Sequence, residues 1–205
     1  TRAVNVGVMT LFRLILNVGR IDRDTALAFF RRLINQGMIT SYAFQRKNKT
    51  LVPTDEVREV PGKSGVFEEI ATGEILERVI AKMSKSLKNV INPDEVIKEY
   101  GADSVRMYEM FMGPLEVSKP WSTQGLIGIH RFLEKVWALG EKPLSKNEAG
   151  ADLTKLLHKT IKKVSADTAS LNFNTAISQM MIFVNELSKL NELPEAAWKD
   201  FVVML

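Results

Sequence analysis

The residues best suited to chemistry lie together in the stretch IAKMSKSLKNVINPDE, residues 80–95. Three lysines and two serines fall within seven positions, from Lys82 to Lys88. Lysine ammonium groups on a short loop can close over a triphosphate and stabilise charge that moves onto a leaving pyrophosphate. Serine hydroxyls add neutral hydrogen-bond donors to phosphate oxygens. By composition alone a solvated basic turn is the simpler interpretation, because short lysine clusters are common on protein surfaces.

A predicted helix start follows this stretch directly. Asn92 suits the N-cap, Pro93 suits the first helical position, and Asp94 and Glu95 suit the first turn. The free N–H groups of such a helix terminus favour anions. Because the two carboxylates oppose that effect, we expect the helix dipole to contribute little to phosphate binding.

A second basic cluster lies in LTKLLHKTIKKV, residues 153–164. At about 100° per residue, its lysines fall within about a third of the helix circumference, and the apolar residues occupy the opposite side. Such a face suits a contact with an RNA backbone as well as plain solvation, and both interpretations stay open on this pattern. The lysines of this face are Lys155, Lys159, Lys162 and Lys163.

Other kinds of site find little support in the sequence. The chain has no cysteine, which excludes disulfides, thiolate zinc sites and cysteine nucleophiles within it. His130 and His158 have no partner at ligand spacing, so no metal site is predicted. The GKS tripeptide at 62–64 resembles the end of a P-loop, but Val57 stands where that motif needs glycine, which indicates a turn.

Composition places the chain among ordinary globular proteins. Its 205 residues are 45% hydrophobic and 25% charged, with a net charge of +4. This balance is compatible with a polyanionic partner but does not demonstrate one. The apolar run VNVGVMTLFRLILNVG is interrupted by Gly7 and Arg13 and is too short for a membrane span, so we expect a buried segment there and no membrane association.

Helix and strand patterns divide the chain into three zones. In the first, a helix is predicted from Asp24 to Gly37, strands are predicted at 39–45 and 50–60, and a hairpin is predicted to turn at Thr72–Gly73. The second zone holds the lysine-rich loop and two short helices, and the third is all helix. The predicted fold class is therefore mostly α with a minor β part, an α+β fold.

The clearest helix of the third zone is NFNTAISQMMIFVNELSKL, at 172–190. Its apolar side chains recur at alternating steps of four and three, which is typical of a packed bundle helix. The members of this stripe are Phe173, Ile177, Met180, Val184 and Leu187.

KMSKS, from Lys82 to Ser86, is the signature pentapeptide of class I aminoacyl-tRNA synthetases, and residues 82–137 resemble the leucyl-tRNA synthetase family nearly throughout. LINQGM at 33–38 is similar to a segment of that family's catalytic domain, and FNTAISQMM at 173–181 resembles its anticodon-binding helical domain. Isoleucyl, valyl and methionyl enzymes share the pentapeptide but usually carry a glycine where this chain has Lys88. The resemblance covers about residues 24–205.

This resemblance implies an enzyme that activates leucine with ATP and esterifies tRNA(Leu), working in the cytoplasm as a monomer. ATP is its substrate, magnesium is the family's usual companion of ATP, and no metal site is expected within this chain. The implied catalytic residues are Lys85, in direct contact with phosphate, and Lys82, which supports the charge. Ser84 and Ser86 are implied to donate hydrogen bonds or shape the loop, and Met83 to anchor it.

The resemblance also implies a domain order. Residues 1–75 would be the end of a Rossmann-type catalytic domain, 76–122 the KMSKS loop and stem-contact segment, and 123–205 a truncated anticodon-binding helical bundle. The lysine face at 155–163 then becomes the candidate tRNA contact.

Two departures from the family limit what is carried over. Its His-x-Gly-His type motif is absent, and residues 1–23 are only weakly similar to it, so no leucine-binding residue is assigned. We therefore expect a piece of a longer enzyme that is inactive in isolation. The alternatives are a non-catalytic module that binds tRNA, or another class I synthetase of the isoleucyl, valyl or methionyl kind.

Overall fold

A computed structural model describes residues 34–205 of the chain. The predicted helix from Asp24 and the N-terminal apolar run lie outside these residues, except for the last positions before Gly37. Residues 34–38 have no helical or strand structure, and the first element begins at Ile39.

The first part of the described chain forms a sheet of short strands. Its order is β2-β1-β5-β4-β3, with β6 paired to β1, and every pair is antiparallel except β1 with β6. These described strands do not form a parallel Rossmann core. The strands are β1 Ile39–Gln45, β2 Leu51–Val52, β3 Val57–Glu59, β4 Phe67–Glu69, β5 Ile75–Lys82 and β6 Lys119–Pro120.

Strands β4 and β5 form the predicted hairpin. The chain reverses at Thr72–Gly73, where Gly73 has a φ of +70°, a conformation that costs glycine little. The longest pairing in the sheet is β1 with β5, and its register sets Thr40 opposite Lys82. The last residue of β5 is thus the first lysine of the KMSKS pentapeptide, held at the end of a paired strand.

Helices make up the rest of the described chain, as the predicted α+β class requires. Two short strands in the connections between helices, β7 Leu144–Ser145 and β8 Leu193–Pro194, pair with each other in parallel. The helices are α1 Pro93–Tyr100, α2 Ala102–Phe111, α3 Thr123–Gly140, α4 Ala151–Ala169, α5 Phe173–Leu187 and α6 Glu195–Met204.

The hydrophobic core lies among these helices. The stripe predicted for α5 is confirmed, because Ile177, Met180, Val184 and Leu187 are all buried, while Phe173 is half-buried. Each large side chain buried in this way contributes about 1.5–3 kcal/mol to folding. Helices α4 and α5 pack along each other, and α4 also packs on α6, so α4 keeps one face for solvent.

Within residues 34–205, none of the helices combines the length and the apolar character needed to cross a lipid bilayer. Residues 38–205 pack as one compact unit. The domain limits at 75 and 122 stay a prediction.

Candidate functional site

The KMSKS segment joins a strand to a helix. Strand β5 ends at Lys82, residues 83–91 form a loop, and α1 begins at Pro93. The predicted cap is confirmed, because the Oδ1 atom of Asn92 accepts a hydrogen bond from the Asp94 N–H at 3.1 Å. The loop is therefore fixed at both ends by regular structure.

Asn89 belongs to this loop, and its side chain is buried, with the residue 5% exposed. Its Oδ1 atom accepts a hydrogen bond from the Ser84 N–H at 2.9 Å. Its Nδ2 group donates to the carbonyl oxygens of Tyr42 at 3.3 Å and Lys82 at 3.4 Å. One side chain thus links the start of the loop to the middle of β1 and to the end of β5.

The middle of the loop is a tight turn organised by Ser84. Its hydroxyl oxygen accepts from the Leu87 N–H at 3.2 Å and lies 3.1 Å from the Ser86 hydroxyl. The Lys88 N–H donates to the Lys85 carbonyl at 3.3 Å. Of the two predicted serines, Ser84 is hydrogen-bonded to the backbone of this turn, and Ser86 is exposed beside it.

The far end of the loop is tied to the segment after β2. The Thr54 N–H donates to the Leu87 carbonyl at 2.9 Å, and the Thr54 hydroxyl donates to the Lys88 carbonyl at 2.6 Å. The Lys88 ammonium group forms an ion pair with Asp55. This pair lowers the pKa of Asp55 and raises the pKa of Lys88, mainly through the hydrogen bond between them.

The lysines of the loop therefore differ in what they can bind. Lys88 is committed to Asp55, whereas neither Lys82 nor Lys85 forms an ion pair with any carboxylate of the described residues. Both are exposed, and Met83 between them is half-buried. Two cationic side chains on an anchored backbone, with hydroxyl groups beside them, form an arrangement suited to an anionic ligand.

The second predicted cluster lies on α4. Lys155, Lys159 and Lys162 are exposed, as the helix pattern predicted. Lys163 is exposed too, but its ammonium group lies 2.7 Å from a carboxylate oxygen of Asp167, which is 6% exposed and also accepts a hydrogen bond from Thr175. Lys163 and Thr175 together lower the pKa of Asp167. The free positive charge of this face thus rests mainly on three lysines.

One of the two histidines, His130, has partners of its own in the helical part. His130 Nδ1 lies 3.1 Å from the Ser104 hydroxyl, and its Nε2 lies 3.6 Å from a Glu134 oxygen. Within the described residues there is no group of three or more histidine, aspartate or glutamate side chains placed to hold a metal ion.

Sequence reasoning missed two contributors to the site, Asn89 and Thr54. The pattern marked the lysines and serines by type and spacing. Asn89 stands three residues after the pentapeptide and Thr54 lies over thirty residues earlier in the chain, so only the fold shows that both hold the loop.

Residues 54–116, which include the loop and its anchors, match the family model described as tRNA synthetases class I (I, L, M and V). The chain is 56% identical over 176 residues to a leucine–tRNA ligase of Borrelia turicatae. It is 52% identical over 199 residues to a leucine–tRNA ligase of Treponema pallidum subsp. pallidum. Each alignment covers 86% of this chain. The chain belongs to the leucine–tRNA ligase family. The family predicted from the KMSKS region is thereby confirmed.

The chain spans only about a fifth of these leucine–tRNA ligases, 20% of the Borrelia protein and 22% of the Treponema protein. Its fold is similar to part of a crystal structure of the ternary complex of Agrobacterium radiobacter K84 agnB2 LeuRS–tRNA–LeuAMS. That similarity covers 60% of this chain and 18% of the other, with a TM-score of 0.50 and 28% identity. The predicted α+β class thus agrees with the fold of a leucine–tRNA ligase.

Proposed function

We propose that this chain is the KMSKS-loop and helical portion of a leucine–tRNA ligase, which activates leucine with ATP and charges tRNA(Leu). The observation that carries the proposal is the loop itself. It presents Lys82 and Lys85 without ion-pair partners among the described residues, between a strand end and a helix start, in a segment homologous to leucine–tRNA ligases. In such an enzyme this loop would hold the phosphates of ATP.

The residues of the pentapeptide take different roles in this proposal. Lys85 contacts the phosphates directly, and Lys82 supports the charge from the strand end. Ser84 and Ser86 donate hydrogen bonds or keep the loop in shape, and Met83 anchors it. As the leucine carboxylate attacks the α-phosphate, negative charge moves onto the departing pyrophosphate. A cation there stabilises the transition state more than the ground state.

Magnesium enters this proposal only as the companion of ATP. The donor set of the loop does not fit a divalent cation, because ammonium groups repel it and two hydroxyls are weak ligands compared with carboxylates. We therefore assign no residue of the described chain to magnesium and derive no step through it.

The helical part supplies the contact with tRNA(Leu) in this proposal. Lys155, Lys159 and Lys162, with a smaller contribution from Lys163, would follow the RNA backbone. We also propose the domain order that the family resemblance implies. Residues 1–75 would be the end of the catalytic domain, 76–122 the loop and stem-contact segment, and 123–205 the anticodon-binding bundle. We also propose that the enzyme is a monomer and works in the cytoplasm.

The test is Lys85→Ala in the full-length ligase that contains this chain. We expect the rate of leucine-dependent ATP–pyrophosphate exchange to fall by about two to three decades, corresponding to about 3–4 kcal/mol, by analogy with the loss of one oxyanion donor. The affinity for ATP should change far less, because the lost interaction is strongest in the transition state. Lys85→Arg should recover only part of the rate, since a planar guanidinium does not replace a compact ammonium group.

The matched control is Lys98→Ala, which removes an exposed lysine from the neighbouring helix α1. It should keep a rate close to that of the unmodified enzyme. Near-normal exchange in Lys85→Ala would refute the role of the loop, and an unmodified enzyme that shows no leucine-dependent exchange would refute the proposed function.

A further inference from the structure

We propose that Asn89 is a positioning residue for this reaction: its buried amide fixes the backbone that presents Lys85 to the ATP phosphates. The inference rests on the proposed function and extends it to a residue outside the KMSKS pentapeptide. Asn89 touches neither ATP nor leucine in this proposal and acts only through the loop.

The Asn89 amide is buried, and both its oxygen and its nitrogen form hydrogen bonds. Its oxygen accepts from the Ser84 N–H, and its nitrogen donates to the carbonyls of Tyr42 and Lys82. A buried amide without partners is costly, so these three bonds specify one orientation of the side chain. The three groups that it joins belong to β1, to the end of β5 and to the loop.

Two of those hydrogen bonds lie close together along the chain, at Lys82 and Ser84. The Lys82 carbonyl and the Ser84 N–H lie on either side of Met83, so the amide closes a small ring around the point where the strand becomes a loop. Lys85 follows Ser84 directly, and consecutive Cα atoms are about 3.8 Å apart across a trans peptide. Holding the Ser84 N–H therefore fixes the backbone of Lys85 while its side chain stays free.

The two halves of the loop have separate anchors, and two hydrogen bonds of the turn join them, from the Leu87 N–H to the Ser84 hydroxyl and from the Lys88 N–H to the Lys85 carbonyl. Thr54 and Asp55 hold the far half at Leu87 and Lys88, through two hydrogen bonds and an exposed ion pair. Asn89 alone, among the described side chains, accepts from the backbone N–H of Ser84. Loss of the Asn89 amide should thus loosen the half that carries Lys85, which would keep only the bonds of the turn, and leave the other half attached.

The expected effect is large because misplacing a catalytic group by about 1 Å costs about 100-fold in rate. A positioning effect of this kind lowers kcat and leaves the binding of ATP nearly unchanged, since phosphate contacts in the ground state tolerate more displacement than those in the transition state. A merely destabilising substitution would instead reduce the amount of folded enzyme and leave the kcat of each folded molecule unaltered.

The experiment uses Asn89→Ala, Asn89→Asp and Asn92→Ala in the full-length ligase. The last is the matched control: it removes an asparagine that bonds the Asp94 N–H at the start of α1 and does not contact Ser84. Two experiments are done on each folded enzyme. Leucine-dependent ATP–pyrophosphate exchange gives kcat and the KM for ATP, and mass spectrometry follows hydrogen exchange of the backbone amides at 84–87.

For Asn89→Ala we expect kcat to fall about 30- to 100-fold, the KM for ATP to change less than about threefold, and the amides at 84–87 to exchange faster. Asn89→Asp keeps an acceptor for Ser84 but sets a carboxylate against two carbonyl oxygens, so its kcat should lie between Asn89→Ala and the unmodified enzyme. Asn92→Ala should match the unmodified enzyme in both measurements.

Three results would overturn the proposal: a folded Asn89→Ala enzyme with kcat within about twofold of normal, an effect confined to the KM for ATP, or an equal loss in Asn92→Ala. If Asn89→Ala does not fold, Asn89→Asp decides, and normal kcat there overturns the proposal. An unmodified enzyme without exchange activity refutes the proposed function instead. Hydrogen exchange at 84–87 then decides by itself whether Asn89 holds the loop.

Discussion

At the scale of single residues, Glu69 shows how the sheet accommodates a buried charge. Its side chain is 4% exposed, and its carboxylate forms an ion pair with Arg46 and accepts a hydrogen bond from the Thr72 hydroxyl at 2.7 Å. These bonds favour the ionised form and lower the pKa of Glu69 from 4.5 to about 2. The ion pair links the end of β1 to the β4–β5 turn. Protonation of Glu69 therefore affects the stability of the sheet that carries Lys82.

The lowered pKa predicts acid sensitivity of a definite sign. A carboxylate whose pKa is lower in the folded state stabilises that state above its unfolded pKa, and this contribution disappears as the pH falls through the folded value. We expect Glu69→Gln to lower the urea midpoint at pH 7. We expect the gap between the variant and the unmodified protein to narrow from about pH 5 to about pH 2. Urea unfolding of both proteins at a series of pH values measures this gap in the midpoint.

The control for that prediction is Glu68→Gln, one residue earlier in the same strand. Glu68 pairs with Arg58, whose side chain is 57% exposed, so we expect a smaller change in the midpoint at pH 7. A gap for Glu69→Gln that is the same at pH 7 and at about pH 3 would contradict the assigned pKa.

The sequence identified single residues of the candidate site only where residue type and spacing formed a recognisable pattern. The KMSKS pentapeptide met that condition, and it led to the correct family. Asn89 did not, because a buried asparagine looks like an exposed one in sequence, and its partner Tyr42 lies 47 residues away. That contact exists only once β1 and β5 pair in the observed register. The roles of Lys82, Lys85 and the serines stay predictions.

At the scale of elements, predictions from the sequence are confirmed where the residues of a single segment determine its structure. The Asn92 cap, the turn at Thr72–Gly73 and the apolar stripe of α5 are all confirmed. The strand predicted at 50–60 is wrong in its middle, because the chain leaves β2 at Pro53 and forms a 3-10 turn at Thr54–Glu56 before β3. Proline has no N–H for a sheet, and Thr54 bonds the 83–91 loop instead of a strand.

The end of helix α5 depends on a lysine from the loop after α3. The ammonium group of Lys142 donates to the carbonyl oxygens of Ser188 at 3.1 Å and Leu190 at 2.5 Å. Helix α5 ends at Leu187 with Ser188 as its C-cap, so the bond to Ser188 places a cation at the negative end of the helix dipole, and the bond to Leu190 holds the turn that follows. Lys142 is half-buried, which makes the two bonds harder for water to replace.

We expect Lys142→Met to destabilise the helical part by about 1.5–3 kcal/mol, because it keeps the length of the side chain and removes a charged donor from two carbonyls. The free energy of chemical unfolding measures this. The control is Lys189→Met, whose exposed ion pair with Glu186 should be worth less than about 1 kcal/mol. Equal stability of the two variants would show that the Lys142 bonds add nothing beyond a surface pair.

At the scale of the whole molecule, the net charge of +4 says less than the way the charges are arranged. The sheet and loop pair several of their cations internally, as Arg46 with Glu69 and Lys88 with Asp55 show. Helix α4 instead presents three lysines to solvent on the side away from α5 and α6, although Asp152 shares their sector at its first turn. Long-range attraction for a polyanion should therefore depend more on α4 than on the total charge.

This arrangement predicts the salt dependence of tRNA binding. Replacing Lys155, Lys159, Lys162 and Lys163 by alanine should flatten the plot of log affinity against log salt by about three phosphate contacts, one for each lysine that lacks an acidic partner. Lys163 should add little, because Asp167 already neutralises it. Filter binding of tRNA over a salt series gives the slope for the chain and its variants.

The control is Lys47→Ala, Lys49→Ala and Lys63→Ala, which removes three exposed lysines from turns of the sheet, as many as the α4 lysines that lack an acidic partner. If net charge alone governed binding, this variant would flatten the slope by about three quarters as much as removal of the four α4 lysines. If α4 tracks the RNA backbone, the control keeps nearly the full slope, because counterions are released only where lysines meet phosphates. An unchanged slope after removal of the α4 lysines would return that face to plain solvation and place the contact with tRNA elsewhere in the ligase.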